Sequence, residues 1–385
     1  MRDYRDIVAA VPVTLPYMRR SDRPAAWFLA RALALLLQRS GLPKSAIDGL
    51  CVSSFTLAPD TAVAFTQHVG LSPRYIEWLP MGGACGVIAL RRAARAVQAG
   101  DAEVVACLAG DTANADSFRS LIANFSRFSQ DAVYPYGAGG PNASFALITA
   151  AYMHRTGATR EDFGRICIAQ RANAQRNALA LLRAELTLDA YLAARPIAAP
   201  LHLYDCVMPC AGADGFLMMT RGRAEALGLP YVRVLGAIER HNAFPDDPVQ
   251  LRGGWAMDRE ALWTQAGIGP DAIDLVETYD DYPVIALMQL EDLGFCAKGD
   301  GPDFVRRHDF RVGGDFPHNT GGGQLSVGQA GAAGGYLGLV EAMRQLTGAV
   351  PERAVARARH ALVSGFGMIN YDRGLCSAAC VLAAA

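Results

Sequence analysis

The chain has 385 residues, 51% hydrophobic and 19% charged, enough to bury a sizeable core in about two or three structural units. Its 36 basic and 37 acidic residues leave a formal net charge of -1 with no basic run, which argues against a nucleic-acid binder. Met1 to Pro12 carries Arg2, Asp3, Arg5 and Asp6 where a signal peptide would be apolar, and the longest apolar run, Trp27 to Leu37, is broken by Arg31. A cytoplasmic protein without a membrane span is therefore expected. Nine cysteines lie mostly in apolar segments, which suits reduced, buried thiols. The pairs Cys206/Cys210 and Cys376/Cys380 lack the second pair that a zinc site needs, so no metal is expected.

Taken in chain order, Ala26 to Leu50 reads as an amphipathic helix, a glycine stop, a proline turn and a strand. A glycine-bearing loop, Met81 to Gly86, then opens a helix from Val87 to Gln98, followed by a strand from Glu103 to Leu108. Asp111 to Gly140, rich in Ser, Phe and Asn, reads as an inserted loop that covers a pocket or forms a subunit contact. Its aromatics Phe125, Phe128, Tyr134 and Tyr136 suit either use. Ile166 to Leu182 has helical spacing.

The pattern then repeats. Gly254 to Val276 is again helix, glycine, proline turn and strand, and the triplet Ala46-Ile-Asp48 returns as Ala272-Ile-Asp274. A second glycine loop, Gly321 to Gly335, opens a helix from Leu337 to Leu346 ahead of a strand from His360 to Ser364. The order implies a duplication with halves at 1–225 and 226–385, an insertion at about 111–200, and a layered α/β fold.

Cys85 lies in Leu79-Pro-Met-Gly-Gly-Ala-Cys-Gly-Val87, between a strand and a helix start. A helix N-terminus offers free N–H groups and partial positive charge, which favour a thiolate, and the flanking glycines admit a substrate. The same window also fits a small buried residue in a tight turn.

Five segments in order resemble the thiolase superfamily, in particular its sterol-carrier-protein-linked branch. They are the Cys85 window, Leu203 to Gly215, Glu277-Thr-Tyr-Asp-Asp-Tyr-Pro283, Asn319-Thr-Gly-Gly-Gly-Gln-Leu-Ser-Val-Gly-Gln-Ala330, and Ser364-Gly-Phe-Gly-Met368, the last resembling a glycine-bearing loop. The resemblance implies a five-layered αβαβα fold of two similar halves with the active site between them, a homodimer, and a coenzyme A thioester as substrate with no bound cofactor. It implies that Cys85 accepts the acyl group, with its own N–H and that of Gly365 or Gly367 holding the oxyanion and Asn319 beside the substrate. By analogy with branch members that lack the usual histidines, it also implies a small partner of OB-fold and zinc-ribbon type.

Two positions depart from the family. Its His-Asp-Cys-Phe is Tyr279-Asp280-Asp281-Tyr282 here, and its Gly-His-Pro is Gly328-Gln329-Ala330. Glutamine accepts no proton at neutral pH. Three readings follow. In the first, a thiolase-type acyltransferase forms a Cys85 acyl-enzyme, with Tyr279, Asp281 or His318 moving protons. In the second, a retro-aldolase splits a β-hydroxyacyl-CoA with Tyr279 as acid/base. In the third, the chain is a non-catalytic subunit that binds acyl-CoA or a partner. Adjacent residues of a strand face opposite ways, so Asp281 rather than Asp280 is expected beside Tyr279.

Overall fold

The computed structural model describes residues 3–57, 61–125, 127–137 and 139–385; the side chain of Phe128 lies outside the described residues. Strands β1 (Ile7–Met18), β2 (Gly49–Ser53), β3 (Tyr75–Trp78) and β4 (Val104–Asp111) are followed by a small pair, β5 (Pro196–Ala198) and β6 (Leu201–His202). Next come β7 (Ala211–Thr220), β8 (Tyr231–His241), β9 (Leu275–Glu277), β10 (His360–Asn370) and β11 (Arg373–Ala384). Apart from β5 and β6, they form one nine-stranded sheet in the order β3-β2-β4-β7-β1-β8-β11-β10-β9.

The same ladder is built twice. β2 pairs parallel with β4, β4 antiparallel with β7, and β7 antiparallel with β1. β9 likewise pairs parallel with β10, β10 antiparallel with β11, and β11 antiparallel with β8. The two ladders join where β1 meets β8, at Val8 to Ala10. The strands following the two Ala-Ile-Asp triplets, β2 and β9, thus hold equivalent places.

Both faces of each ladder are covered, which is why its strands read as continuous apolar runs. Along β4, Val105, Cys107 and Ala109 point into a central core, and Val104, Ala106 and Leu108 into an outer one. The central layer is a pair of helices, Cys85–Ala99 and Gly334–Leu346. Outside lie helix Ala25–Ser40, against β1, β4 and β7, and helix Trp255–Ala266, against β8 and β11. The result is the five-layered thiolase-like α/β fold. Among the described residues, no helix is long and apolar enough to cross a membrane, and all nine cysteines are free.

Several boundaries differ from expectation for local reasons. The helix expected at Ile166–Leu182 runs Arg160–Gln175, started by a reciprocal cap between Thr159 and Asp162. It stops where Asn177 turns to bind the Gly321 carbonyl at 2.8 Å. Segment 111–140 is not a bare loop: Asp111 ends β4, and an Asn114 cap starts helix Ala115–Asn124. Phe118, Tyr134 and Tyr136 are exposed there. Ser364 to Met368 is not a loop either but the middle of β10.

The two central helices cross backbone against backbone. A Cβ on Gly86 would collide with the Gly335 carbonyl. Helix-spaced glycines at such a crossing allow an approach that no larger residue permits. Gly86→Ala is therefore expected to destabilise the fold by about 2 kcal/mol through overpacking, read as a lower urea midpoint at unchanged slope; an unchanged midpoint would show that the helices can move apart at little cost.

Candidate active site

Cys85 opens the central helix and is fully buried. Its Sγ donates to the Ala332 carbonyl at 3.1 Å, and a Cβ on Gly335 would sit 2.9 Å from that sulfur. The thiol is thus covered by backbone of the second half. Burial pushes its pKa up to about 12, outweighing the amides of Cys85 and Gly86, with Asp111 adding to the rise. The expectation of a thiolate at this helix terminus is reversed: desolvation exceeds the stabilisation by the helix end.

Tyr279 follows β9, its ring packed so closely on Gly83 that a Cβ there would overlap it. Its hydroxyl oxygen accepts from Gln329 Nε2 at 2.8 Å. Gln329 is itself fixed by its backbone, with its N–H on the Met208 carbonyl and its carbonyl on the Cys210 N–H, both at 2.9 Å. Burial raises the Tyr279 pKa well above the ordinary range, helped by the charges of Asp281 and Cys85 and opposed by Gln329.

Asp281 is buried, and its Oδ1 has no hydrogen-bond partner among the described residues. Burial and then the charge of Asp280 drive its pKa well up, opposed by the amides of Tyr282 and Asp281 and by the Tyr279 hydroxyl. Asp280 turns elsewhere, accepting from the Gln324 N–H at 2.9 Å at the start of helix Gly323–Val327. Its pKa rises to about 6 through burial, against the amides of Gln324 and Leu325. The structure thus brings Tyr279, Asp281 and Gln329 together and leaves Asp280 to tie down the neighbouring loop.

Asn319 sits at φ 44°, in the left-handed region. Its Oδ1 accepts from the Thr278 N–H at 2.8 Å, and its Nδ2 is buried without a partner. His318 is placed apart from this cluster. Its Nε2 lies 2.8 Å from Thr278 Oγ1, its ring stands 5.1 Å from that of Phe310, and burial alone lowers its pKa to about 3. A neutral, enclosed ring is a poor proton carrier, so the expected catalytic role for His318 does not fit its position. Gly365 and Gly367 lie in β10 opposite Ala378 and Cys376, and Cβ atoms on them would strike the backbone of Met81 to Ala84.

Two further residues shape the site. Gln289 clamps the Tyr279 backbone, accepting from its N–H at 3.2 Å and donating to its carbonyl at 2.7 Å. Its signal was a lone amide inside the apolar helix Pro283–Leu293. Asp111 accepts from Ser54, Phe55 and Thr56 on one oxygen and from the Ala332 N–H at 2.7 Å on the other. Its signal was an acid ending an otherwise apolar strand. Among the described residues, no group of three or more His, Cys, Asp or Glu is arranged to hold a metal.

Comparison with known proteins agrees with this geometry. The family model "Thiolase C-terminal domain-like" matches residues 252–376. A 17-hydroxy-3-oxo-4-pregnene-20-carboxyl-CoA lyase of Mycobacterium tuberculosis is 31% identical over 374 residues, covering 90% of this chain and 93% of that one. A steroid side-chain-cleaving aldolase of Thermomonospora curvata is 30% identical over 350 residues, covering 86% and 88%. The solved structure of an Ltp2-ChsH2(DUF35) aldolase superposes with a TM-score of 0.82 at 25% identity, covering 100% of this chain and 99% of that one. The chain belongs to the thiolase superfamily, in its sterol-carrier-protein-2-thiolase-like branch. The first of these relatives is named as a lyase of a CoA ester and the other two as aldolases.

Two measurements bear on the site. Iodoacetamide at pH 8 is expected to leave Cys85 unmodified in peptide mass spectra of the folded protein; rapid alkylation would show an open, acidic thiol. His318 favours its neutral form in the folded state, so the stability it contributes is complete above pH 6.5 and declines as pH falls towards 3. The loss is roughly 2 kcal/mol by pH 5. A His318→Gln variant should show a correspondingly smaller drop in urea midpoint between pH 7 and pH 5; equal drops would place the ring in contact with solvent.

Proposed function

We propose that this chain is a retro-aldolase that cleaves a β-hydroxyacyl-CoA, with Tyr279 as its acid/base. The observation that carries the reading is the exchange of roles at the site: the thiol is enclosed against the Ala332 carbonyl, while a phenol held by Gln329 stands beside a buried carboxyl whose Oδ1 has no partner among the described residues. The named substrate of the mycobacterial relative supports it, since a hydroxyl on C17 and a thioester on C20 put the hydroxyl β to the carbonyl.

The step balances without a cofactor beyond the CoA thioester. Tyr279 takes the proton of the β-hydroxyl as its own proton passes to the Asp281 carboxylate. The Cα–Cβ electron pair moves into the thioester as an enolate, and Cβ leaves as a carbonyl compound. The enolate oxygen is met by donors such as Asn319 Nδ2 or the amides of Cys85, Gly365 and Gly367, and Cα recovers the proton to give the shortened acyl-CoA. The acyl-enzyme reading instead requires Cys85 to ionise against its burial, with Gln329 unable to take the proton. We extend the proposal to assembly. The Ltp2-ChsH2(DUF35) neighbour supports a small partner of OB-fold and zinc-ribbon type, the repeated ladder supports halves at 1–225 and 226–385, and a homodimer is the family's usual arrangement.

The test pairs Cys85→Ala with Tyr279→Phe on a panel of short, aromatic and steroid-like β-hydroxyacyl-CoAs, with intact-mass spectra of each protein. Cleavage should survive in Cys85→Ala within tenfold and fall by about 10²–10⁴ in Tyr279→Phe, with no acyl adduct. A covalent adduct lost in Cys85→Ala restores the thiolase reading, and no turnover by any form leaves the binding-subunit reading.

Asp281 must be ionised to receive a proton, and its pKa lies above the usual carboxylate range. The rate constant kcat/KM should therefore fall as pH drops through a value above about 4, a limb that Asp281→Asn removes; the same acid limb in Asp281→Asn would assign it to another group.

A further inference from the structure

Gln324 stands 1% exposed, inside the Asn319 to Ala330 segment that carries the family resemblance but with no role implied for it there. It lies in helix Gly323–Val327, whose first turn is fastened to Asp280: the Gln324 N–H reaches Asp280 Oδ1 at 2.9 Å and its Nε2 reaches the same oxygen at 3.4 Å. A carboxylate accepts only from the NH₂ end of an amide, so this contact orients the side chain and turns Oε1 the other way. Oε1 is buried and has no hydrogen-bond partner among the described residues.

That oxygen lies in the space left by the missing side chain of a glycine. A Cβ on Gly334 would overlap Gln324 Oε1 and lie 3.2 Å from Cγ of Gln329, the residue that holds the Tyr279 hydroxyl. Gln324, Gly334, Tyr279 and Asn319 line one narrow cavity. An unpaired buried amide oxygen costs about 1–3 kcal/mol, so a donor that enters the cavity recovers free energy there. The β-hydroxyl is such a donor; an unsubstituted β-carbon is not.

We propose that Gln324 is a substrate-binding residue whose Oε1 accepts a hydrogen bond from the β-hydroxyl of the acyl-CoA, and that Gly334 leaves the Gln324 amide the room to hold that oxygen in place. Gln324 thereby selects hydroxylated over unhydroxylated thioesters and turns the hydroxyl towards Tyr279. The assignment rests on the retro-aldolase reading for the identity of the ligand, although hydroxyl recognition is measurable without turnover.

The experiment compares dissociation constants by calorimetry for two probe pairs. One is 17-hydroxy-3-oxo-4-pregnene-20-carboxyl-CoA with 3-oxo-4-pregnene-20-carboxyl-CoA; the other is 3-hydroxybutyryl-CoA with butyryl-CoA. Both are measured on full-length protein carrying Tyr279→Phe to stop cleavage. The hydroxylated member of whichever pair binds more tightly should be preferred by about tenfold or more, as expected where a buried polar group would otherwise stay unpaired. Adding Gln324→Leu or Gly334→Ala should abolish that preference while the affinity for the unhydroxylated member stays within about twofold. A preference that persists in both variants, an equal weakening of both ligands, or no binding of either pair overturns the proposal. Rates on the otherwise unaltered protein separate the two readings: a hydroxyl preference that depends on Gln324 in a protein that cleaves neither hydroxylated probe sinks the retro-aldol step and leaves the binding role standing.

Discussion

The crossing of the two central helices at Gly86 and Gly335 sets the geometry of the rest of the molecule. Backbone-to-backbone contact there brings the N-terminal ends of both helices, one from each ladder, onto the same spot. It seats the Ala332 carbonyl on Cys85 Sγ and lays the Gly82–Ala84 turn under the ring of Tyr279. Close packing of this kind is unforgiving, because cores at crystal-like density transmit a displaced methyl group to their neighbours. The small residues of both glycine loops therefore belong first to the packing and only through it to chemistry. The same closeness that could present a sulfur to a thioester here encloses it.

On the proposed retro-aldol reading, what replaces the missing histidines is a different way of handling protons. Histidine nitrogen takes a proton near neutrality; a phenol with a raised pKa does not do so alone. Because Gln329 Nε2 donates to the Tyr279 oxygen, the phenolic hydrogen is left to point elsewhere, and the neighbouring carboxyl of Asp281 accepts it once ionised, against the burial that raises its pKa. Gln289 fixes the tyrosine backbone through both its N–H and its carbonyl. Asn319 Nδ2 and Gln324 Oε1, buried without a hydrogen-bond partner among the described residues, belong to residues that line one cavity with Tyr279. Such groups are costly in a native interior, and their concentration at one place is what a site built for polar substrate atoms requires.

Much of this was legible in the sequence because duplication writes itself as a repeated order of helix, glycine, proline and strand. The two Ala-Ile-Asp triplets lead into β2 and β9, which pair in parallel with β4 and β10. The site loops around Cys85, Tyr279 and Gln329 were legible by their likeness to a family pattern and by the two positions that break it. Tertiary context hid the rest. Ser364 to Met368 has loop composition, yet its glycines are small so that a strand can lie against Met81 to Ala84. Asp280 and Asp281 are indistinguishable as residue types; which one faces Tyr279 depends on where helix Gly323–Val327 offers its amides. His318 stands next to a site residue, yet burial against Phe310 removes its charge. Desolvation is set by neighbours far along the chain, which local sequence does not record.

Neither half could make the site alone. The segment matching the thiolase C-terminal family model, 252–376, carries Tyr279, Asp281, Asn319, Gln324, Gln329, Gly365 and Gly367. The N-terminal ladder brings Cys85 and, through Asp111, the grip that sets the Ala332 segment in place. Asp111 is buried, and its hydrogen-bond partners among the described residues are uncharged donors from the segment Ser54 to Thr56 and from Ala332. A carboxylate satisfied by amides and hydroxyls from both halves holds direction better than a surface ion pair, because each donor fixes an angle as well as a distance. Through that one side chain the N-terminal half sets the height of the carbonyl above the thiol and, three residues upstream, the placement of Gln329 against Tyr279.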